Sequence, residues 1–202
     1  MKVCEMFLLK IECRAELVAM HLCVETAVLD IFGFKDKQAQ EDIIYICYLN
    51  MARAGLLALE FYDPKAKKWG QAHMQARFSI LQALIQSGAV HVQLSSDNQL
   101  FIELDRSKIR SHGLPAMSKF LATLQVYKAT ADALNGVAFY EKVTSVTDEW
   151  ATTYRSIVLK EKQPRKVFVQ GNTFLEEGDQ VSFKEYPATY EGFIQSFVDR
   201  CF

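Results

Sequence analysis

The sequence predicts a mainly α fold with one β-hairpin, followed by a short β-containing segment at its C-terminal end. Apolar residues recur at the spacing of a helix face through the first two-thirds of the chain. Two alternating runs flank the turn-forming Ser95-Ser96-Asp97-Asn98. Beyond Pro164 the texture changes to alternating strands separated by glycine-containing turns.

Each element follows from local chemistry. From Glu12 to Ile31, the residues Leu17, Met20, Val24, Val28 and Ile31 predict one helix, with Gly33 just past its end. Asp36 to Asp42 reads as a polar connection. A longer helix is expected from about Glu41 to Phe61, stopped before Asp63-Pro64 because proline cannot continue it. Ile43, Ile44, Ile46, Leu49, Leu56, Leu57 and Leu59 surround much of that segment, as in a central, buried helix. A third helix is expected from Lys68 to Gln86, ended by Gly88. Ala89–Leu94 and Gln99–Leu104 form the predicted hairpin. Helices resume near Pro115 through Tyr127, around Asp132 to Lys142, and from Asp148 to Lys160. Val167–Gln170 and Gln180–Tyr186 alternate as strands, and a short amphipathic helix, Tyr190 to Val198, closes the chain.

Length and composition set the outer limits. With 202 residues, the chain makes one large domain, or one domain and a piece of a second. The charged, apolar-free Lys160-Glu161-Lys162-Gln163-Pro164 is the expected boundary, dividing a helical part, 1–164, from 165–202. The latter is too short to bury a stable core by itself. A net charge of −1 supplies no global field for nucleic acid or an anionic membrane. No apolar stretch is expected to reach the length of a membrane span. Cys4, Cys13, Cys23, Cys47 and Cys201 are odd in number and lack C-x-x-C spacing, which fits reduced, mostly buried thiols. Glu5 interrupts the first apolar run and no small-residue cleavage site follows, which argues against a signal peptide. The expected compartment is the cytosol.

Two clusters could carry chemistry. Glu12 and Glu16, in Glu12-Cys13-Arg14-Ala15-Glu16, lie four apart and share one side of a helix. That suits one metal ligand and one supporting carboxylate, although solvated helix residues are the plainer reading. A catalytic zinc takes three protein ligands, and no H-E-x-x-H pattern joins His21, His73, His91 and His112 to this pair. His21 and Glu25 have the spacing of a common helical surface pair. His73 and Arg77 share another helix face just after Trp69. A neutral imidazole both donates and accepts, and a guanidinium can hold a carboxylate; a surface-paired histidine is the plainer alternative. Arg165-Lys166 enter a strand as adjacent cations, so they reach one partner only if the backbone there is irregular. A solvated hinge is their plainer reading, as an exposed face is for the charged run Asp105–Arg110.

Five blocks together resemble the C-terminal portion of the dipeptidyl peptidase III family of zinc exopeptidases. They are Glu12–Glu16, Leu49–Tyr62, Gln71–Phe78, Leu104–Ser111 and Arg165–Asn172, and the resemblance runs from Glu12 to Phe197. It implies a two-lobed peptidase that removes N-terminal dipeptides from oligopeptides. Residues to about Pro164 would form the helical, zinc-bearing upper lobe, and those from Arg165 would belong to a β-containing lower lobe. Glu12 matches the third zinc ligand and Glu16 the carboxylate that orients a ligand histidine. His73 resembles the histidine that contacts substrate and stabilises developing charge, with Arg77 beside it. Arg165 and Lys166 resemble cations that contact bound peptide.

Two departures from the family pattern matter. Ile11 stands where the family motif has a second acidic residue, and residues 1–10 match nothing in it. The family's H-E-x-x-G-H segment, with two zinc-ligand histidines and the water-activating glutamate, is absent from these residues. A complete zinc site in small peptides contributes about 10–16 kcal/mol, of which one monodentate ligand keeps little. The expectation is therefore a C-terminal fragment or truncated isoform, inactive alone, that does not hold zinc stably and self-associates through exposed core surface. The alternative is a non-catalytic pseudoenzyme that binds peptide or protein; activity by complementation with a separate N-terminal half is a third.

Overall fold

In the computed structural model, which describes residues 2–164 and 166–201 and side chains from Ile11 onward, the first helix is α1, Lys2–Leu22. It buries Cys13, Leu17 and Met20, which recur every three or four residues along one face. The expected single helix to Ile31 is broken. Glu25 takes an extended backbone and opens a separate short helix, α2, Thr26–Ile31. The turn is closed by Cys23 N–H donating to Ala19 O and Glu25 N–H to Leu22 O, with Val24 buried inside it. The apolar rhythm continues across the break, which is why spacing alone reads one helix. Gly33, at φ +89°, ends α2 in the left-handed conformation that glycine adopts freely.

Helix α3, Lys37–Leu57, begins earlier than the sequence suggests and runs into a 3₁₀ turn, Ala58–Phe61. Asp36 supplies the reason: its Oδ2 accepts from the Ala39 N–H at 2.8 Å, capping a polar first turn that reads as a loop. Gln40 is buried there, donating to Asp30 Oδ1 and to the Phe34 carbonyl. A second expectation needs correction. Residues Lys37–Phe61 form a helix that is long and apolar enough, by length and composition, to cross a membrane. Its face through Ile44, Tyr48, Ala52 and Leu56 is buried against the rest of the helical unit, as in a core helix.

The residues Lys68 to Gln71, expected to be helical, are not. Strand β1, Tyr62–Asp63, pairs antiparallel with β2, Lys68–Trp69, and helix α4 is Ala72–Gln86. Gly88, at φ +76°, marks its stop. Strands β3, Val90–Leu94, and β4, Leu100–Leu104, form the hairpin with Val90 opposite Leu104 and Leu94 opposite Leu100. The charged run after the hairpin is not merely a solvated face. Arg106 pairs with Asp42 at 2.7 Å and Arg110 with Glu41 at 2.8 Å, tying the π-helical turn Ile109–Gly113 and its approach to the start of α3. Helices α5, Leu114–Ala129, α6, Ala133–Val143, and α7, Arg155–Glu161, complete the unit. Helix α4 is its axis: α1, α3 and α5 all pack against it, around Ala76, Phe78, Ile80, Leu81 and Leu84.

The chain divides into two compact units, Met1–Lys162 and Gln163–Phe202. The second contains β5, Asn172–Leu175, β6, Val181–Lys184, and α8, Tyr190–Val198. Val167–Gln170, read as a strand, is unpaired, and the strand begins at Asn172 instead. Asn172 fixes that start, because its buried amide donates to the Ser196 carbonyl and to the Tyr186 hydroxyl. Asp199 then accepts from Lys184 Nζ, Tyr186 Oη and Gln195 Nε2, each at 2.6 Å. The described side chains buried here are small or polar, while Phe168, Leu175, Val181 and Phe183 are exposed.

Candidate functional site

Helix α4 owes its N-terminal position to side chains outside its apolar face. Gln71 caps it, its Oε1 accepting from the Met74 N–H at 2.7 Å. The Trp69 indole N–H donates to the Thr144 carbonyl at 3.0 Å, and Gln75 Nε2 donates to the Thr144 hydroxyl at 3.0 Å. Trp69 also stacks between Tyr62 and Phe78 at ring separations of 5.2 and 5.1 Å. These contacts pin the first turn of α4 to the end of α6, and His73 sits in that turn.

Helix α1 brings the two glutamates to the same place. Cys13 lies between them on the inward face, fully buried, with its Sγ 3.6 Å from the Ser79 hydroxyl of α4. Burial pushes the Cys13 thiol up to about 12, so it acts as a packing group rather than a nucleophile. With Cys13 turned inward, Glu12 and Glu16 flank the seam between α1 and α4. His73 Nε2 stands 3.2 Å from Glu12 Oε2, and His73 Nδ1 stands 3.8 Å from Glu16 Oε1. Arg77, one turn further along α4, donates from Nε to Glu16 Oε1 at 2.8 Å. Two carboxylates, an imidazole and a guanidinium thus converge from motifs about sixty residues apart.

The arrangement divides the labour between the acids. Glu16 is the more buried, its side chain 17% exposed, and its Oε1 is held by Arg77. Glu12 is 34% exposed and meets only the imidazole edge among its described contacts. His73 Nδ1 is shut off from solvent and has no hydrogen-bond partner, whereas the side chain as a whole is 45% exposed. The imidazole therefore has one enclosed nitrogen and one facing a carboxylate. Such a group can exchange a hydrogen bond with an incoming polar ligand once Glu12 is engaged elsewhere.

A zinc ion needs more than this cluster offers. Among the described residues, no group of three or more histidine, cysteine, aspartate or glutamate side chains could hold a metal ion. The donor set fits one carboxylate arm of such a site, supported by a second carboxylate that Arg77 orients, and not a whole site. Of the remaining sequence-based candidates, Lys166 is exposed and lies in the second unit, and Arg165 lies outside the described residues. The His21–Glu25 pair does not share a helix face, since α1 ends between them; His21 Nδ1 instead lies 3.3 Å from the Ser118 hydroxyl. Sequence reasoning missed two supporting residues, Thr144 and Gly55. Thr144 carries no motif. Gly55 lies within a matched block, but only its close approach to α4 reveals its part.

Comparison with known proteins shows the family of the chain. Residues 10–201 match the model of peptidase family M49. The chain is 50% identical over 198 residues to dipeptidyl peptidase 3 of Mus musculus, covering 94% of this chain and 27% of that protein. It is 47% identical to dipeptidyl peptidase 3 of Nematostella vectensis over 195 residues, 94% of this chain and 26% of that protein. For dipeptidyl peptidase 3 of Dictyostelium discoideum the identity is 42% over 193 residues, 94% of this chain and 28% of that protein. The chain thus spans about a quarter of the length of the curated relatives it matches. Matched over residues 10–201, this chain belongs to peptidase family M49.

Proposed function

We propose that this chain is the part of a zinc dipeptidyl peptidase that supplies one metal-binding carboxylate and the groups that meet the substrate. Glu12 is the ligand, being the more exposed carboxylate and the one not held by Arg77. Glu16 orients a histidine ligand that the 202 residues do not contain, and Arg77 holds Glu16 in place. When Glu12 turns to a metal, His73 Nε2 loses its present neighbour and becomes available to a peptide carbonyl. Arg165 and Lys166 contact the bound oligopeptide. The observation that carries this reading is the convergence of Glu12, Glu16, His73 and Arg77 at one seam between α1 and α4.

By themselves the 202 residues do not catalyse hydrolysis in this proposal, since no group among the described residues completes a metal site with Glu12. The isolated chain also self-associates. Ile31 is 82% exposed and Phe32 73%, side by side at the end of α2, and Phe168 is 78% exposed. The test is a chimera in which residues 10–201 replace the matched stretch of the Mus musculus relative. The chimera is expected to bind zinc and release dipeptides from an oligopeptide, read by elemental analysis and mass spectrometry. Glu12→Ala should remove the zinc, and His73→Ala should slow turnover while zinc stays bound. Full zinc content in the Glu12→Ala chimera would sink the assignment, and dipeptide release by the 202 residues alone would sink the claim of inactivity.

A further inference from the structure

A cavity of about 380 Å³, with Arg77 in its wall, is lined by the sulfur-bearing residues Met20, Cys23, Cys47 and Met51. Cys23 lies in the turn that breaks α1 from α2, and Cys47 and Met51 lie one turn apart on α3. Cys47 lies near enough to raise the Cys23 thiol, and Cys23 Sγ donates to the Met20 carbonyl at 3.2 Å. That same carbonyl accepts from the Tyr48 hydroxyl at 3.4 Å, so the Cys23 proton already competes for a shared acceptor. Both thiols are half-buried and unoxidised.

We propose that this cavity binds a soft, thiophilic monovalent cation of the copper(I) class, through the sulfurs of Cys23 and Cys47 with Met20 and Met51 in support. Thiolates and thioethers select soft cations over the harder ions that carboxylates and imidazoles prefer. Two thiols that line one cavity, with two thioethers beside them, offer a single ion an all-sulfur donor set. Their charge also suits the pocket. Two thiolates and one monovalent cation leave a net negative charge, near the Arg110 guanidinium, whose charge favours the Cys23 thiolate. Binding exchanges both thiol protons for the cation, with no change of oxidation state and two protons released to solvent. Burial and the neighbouring Cys47 hold the Cys23 thiol up at about 12, so proton release opposes binding at neutral pH. The apparent affinity therefore climbs as pH rises.

The experiment titrates the reduced 202-residue chain with copper(I), anaerobically, against a chromophoric copper(I) chelator. The intact chain should take one equivalent, with an all-sulfur X-ray absorption signature and an affinity that rises between pH 6 and 8, by up to about a hundred-fold per pH unit for two protons. Cys23→Ser and Cys47→Ser should each weaken binding by at least about ten-fold, and Cys201→Ser should leave it unchanged. Alkylation of the unmutated chain gives a second readout that needs no variant. Bound copper(I) should shield Cys23 and Cys47, but not Cys201, from a maleimide followed by mass spectrometry. Undiminished affinity in the Cys23→Ser, Cys47→Ser double variant, or shielding of Cys201 alone, overturns the proposal.

Discussion

The carbonyl oxygen of Arg77 and the Cα of Gly55 approach so closely that a Cβ at position 55 would stand 2.6 Å from that oxygen. It would also stand 2.5 Å from the Leu81 Cβ. Real side-chain carbons do not occupy such spaces, so α3 and α4 meet here only because residue 55 is glycine. The residue whose backbone fills the gap is the one whose guanidinium holds Glu16. Gly55→Ala should therefore part the two helices, cost about 1–3 kcal/mol in chemical denaturation, and lengthen the Arg77–Glu16 contact. An unchanged denaturation midpoint would show that the helices have slack the close approach denies.

The Arg77–Glu16 bond crosses from α4 to α1 and is part-buried, with side-chain exposures of 32% and 17%. A double-mutant cycle with Arg77→Ala and Glu16→Gln should return a coupling free energy of about 1–2 kcal/mol. Arg77→Ala should be the more harmful single change, because it leaves a half-enclosed carboxylate without its donor. Additive effects would mean that the two residues do not depend on each other.

In the second unit, hydrogen bonds from Lys184, Tyr186 and Gln195 hold the Asp199 carboxyl down at about 2, below the ordinary 3.8. A carboxyl depressed in the folded state contributes stability above its unfolded value and loses that contribution as pH falls toward the folded one. Acid loosening of 163–202 is thus expected between about pH 4 and pH 2. Both tryptophans lie in the first unit, so tryptophan emission will not report it. The Tyr186 ring resonances should. Asp199→Asn should remove this step from the acid titration, and an identical titration in that variant would assign the loosening to other carboxyls.

Thiol labelling should separate the cysteines sharply. Cys13 is fully buried and its thiol is pushed up to about 12, which leaves about one thiolate in ten thousand at pH 8. Cys201 is exposed. Under native conditions a maleimide should modify Cys201 within minutes, while Cys13 reacts only as fast as the helical unit opens. Prompt labelling of Cys13 would show that the seam between α1 and α4 breathes.

The sequence was most legible where one residue type forces a local outcome. Helix α8 falls where its amphipathic pattern places it, at Tyr190–Val198, and Gly33 and Gly88 end their helices as left-handed residues. The two halves of the candidate site were each legible as i, i+4 pairs. Their meeting was not, because no local rule sets Glu12 against His73 across sixty residues of chain; the packing of α1 on α4 brings them together. Misplaced boundaries trace to side chains acting on the backbone. Asp36 caps a turn of α3 whose composition reads as loop, and the Asn172 amide starts a strand after the alternating Val167–Gln170 has passed unpaired. Glu25 breaks a helix whose apolar rhythm continues.

The second unit is held by a carboxylate clasp and a buried amide rather than by large apolar side chains. Heat capacity on unfolding rises with exposed apolar surface and falls with exposed polar surface. Its unfolding should therefore carry an unusually small heat-capacity increment, so that its stability hardly bends with temperature. The helical unit, with its buried leucines and aromatics, follows the ordinary curved dependence. Cooling and warming then shift the two halves of one chain by different amounts.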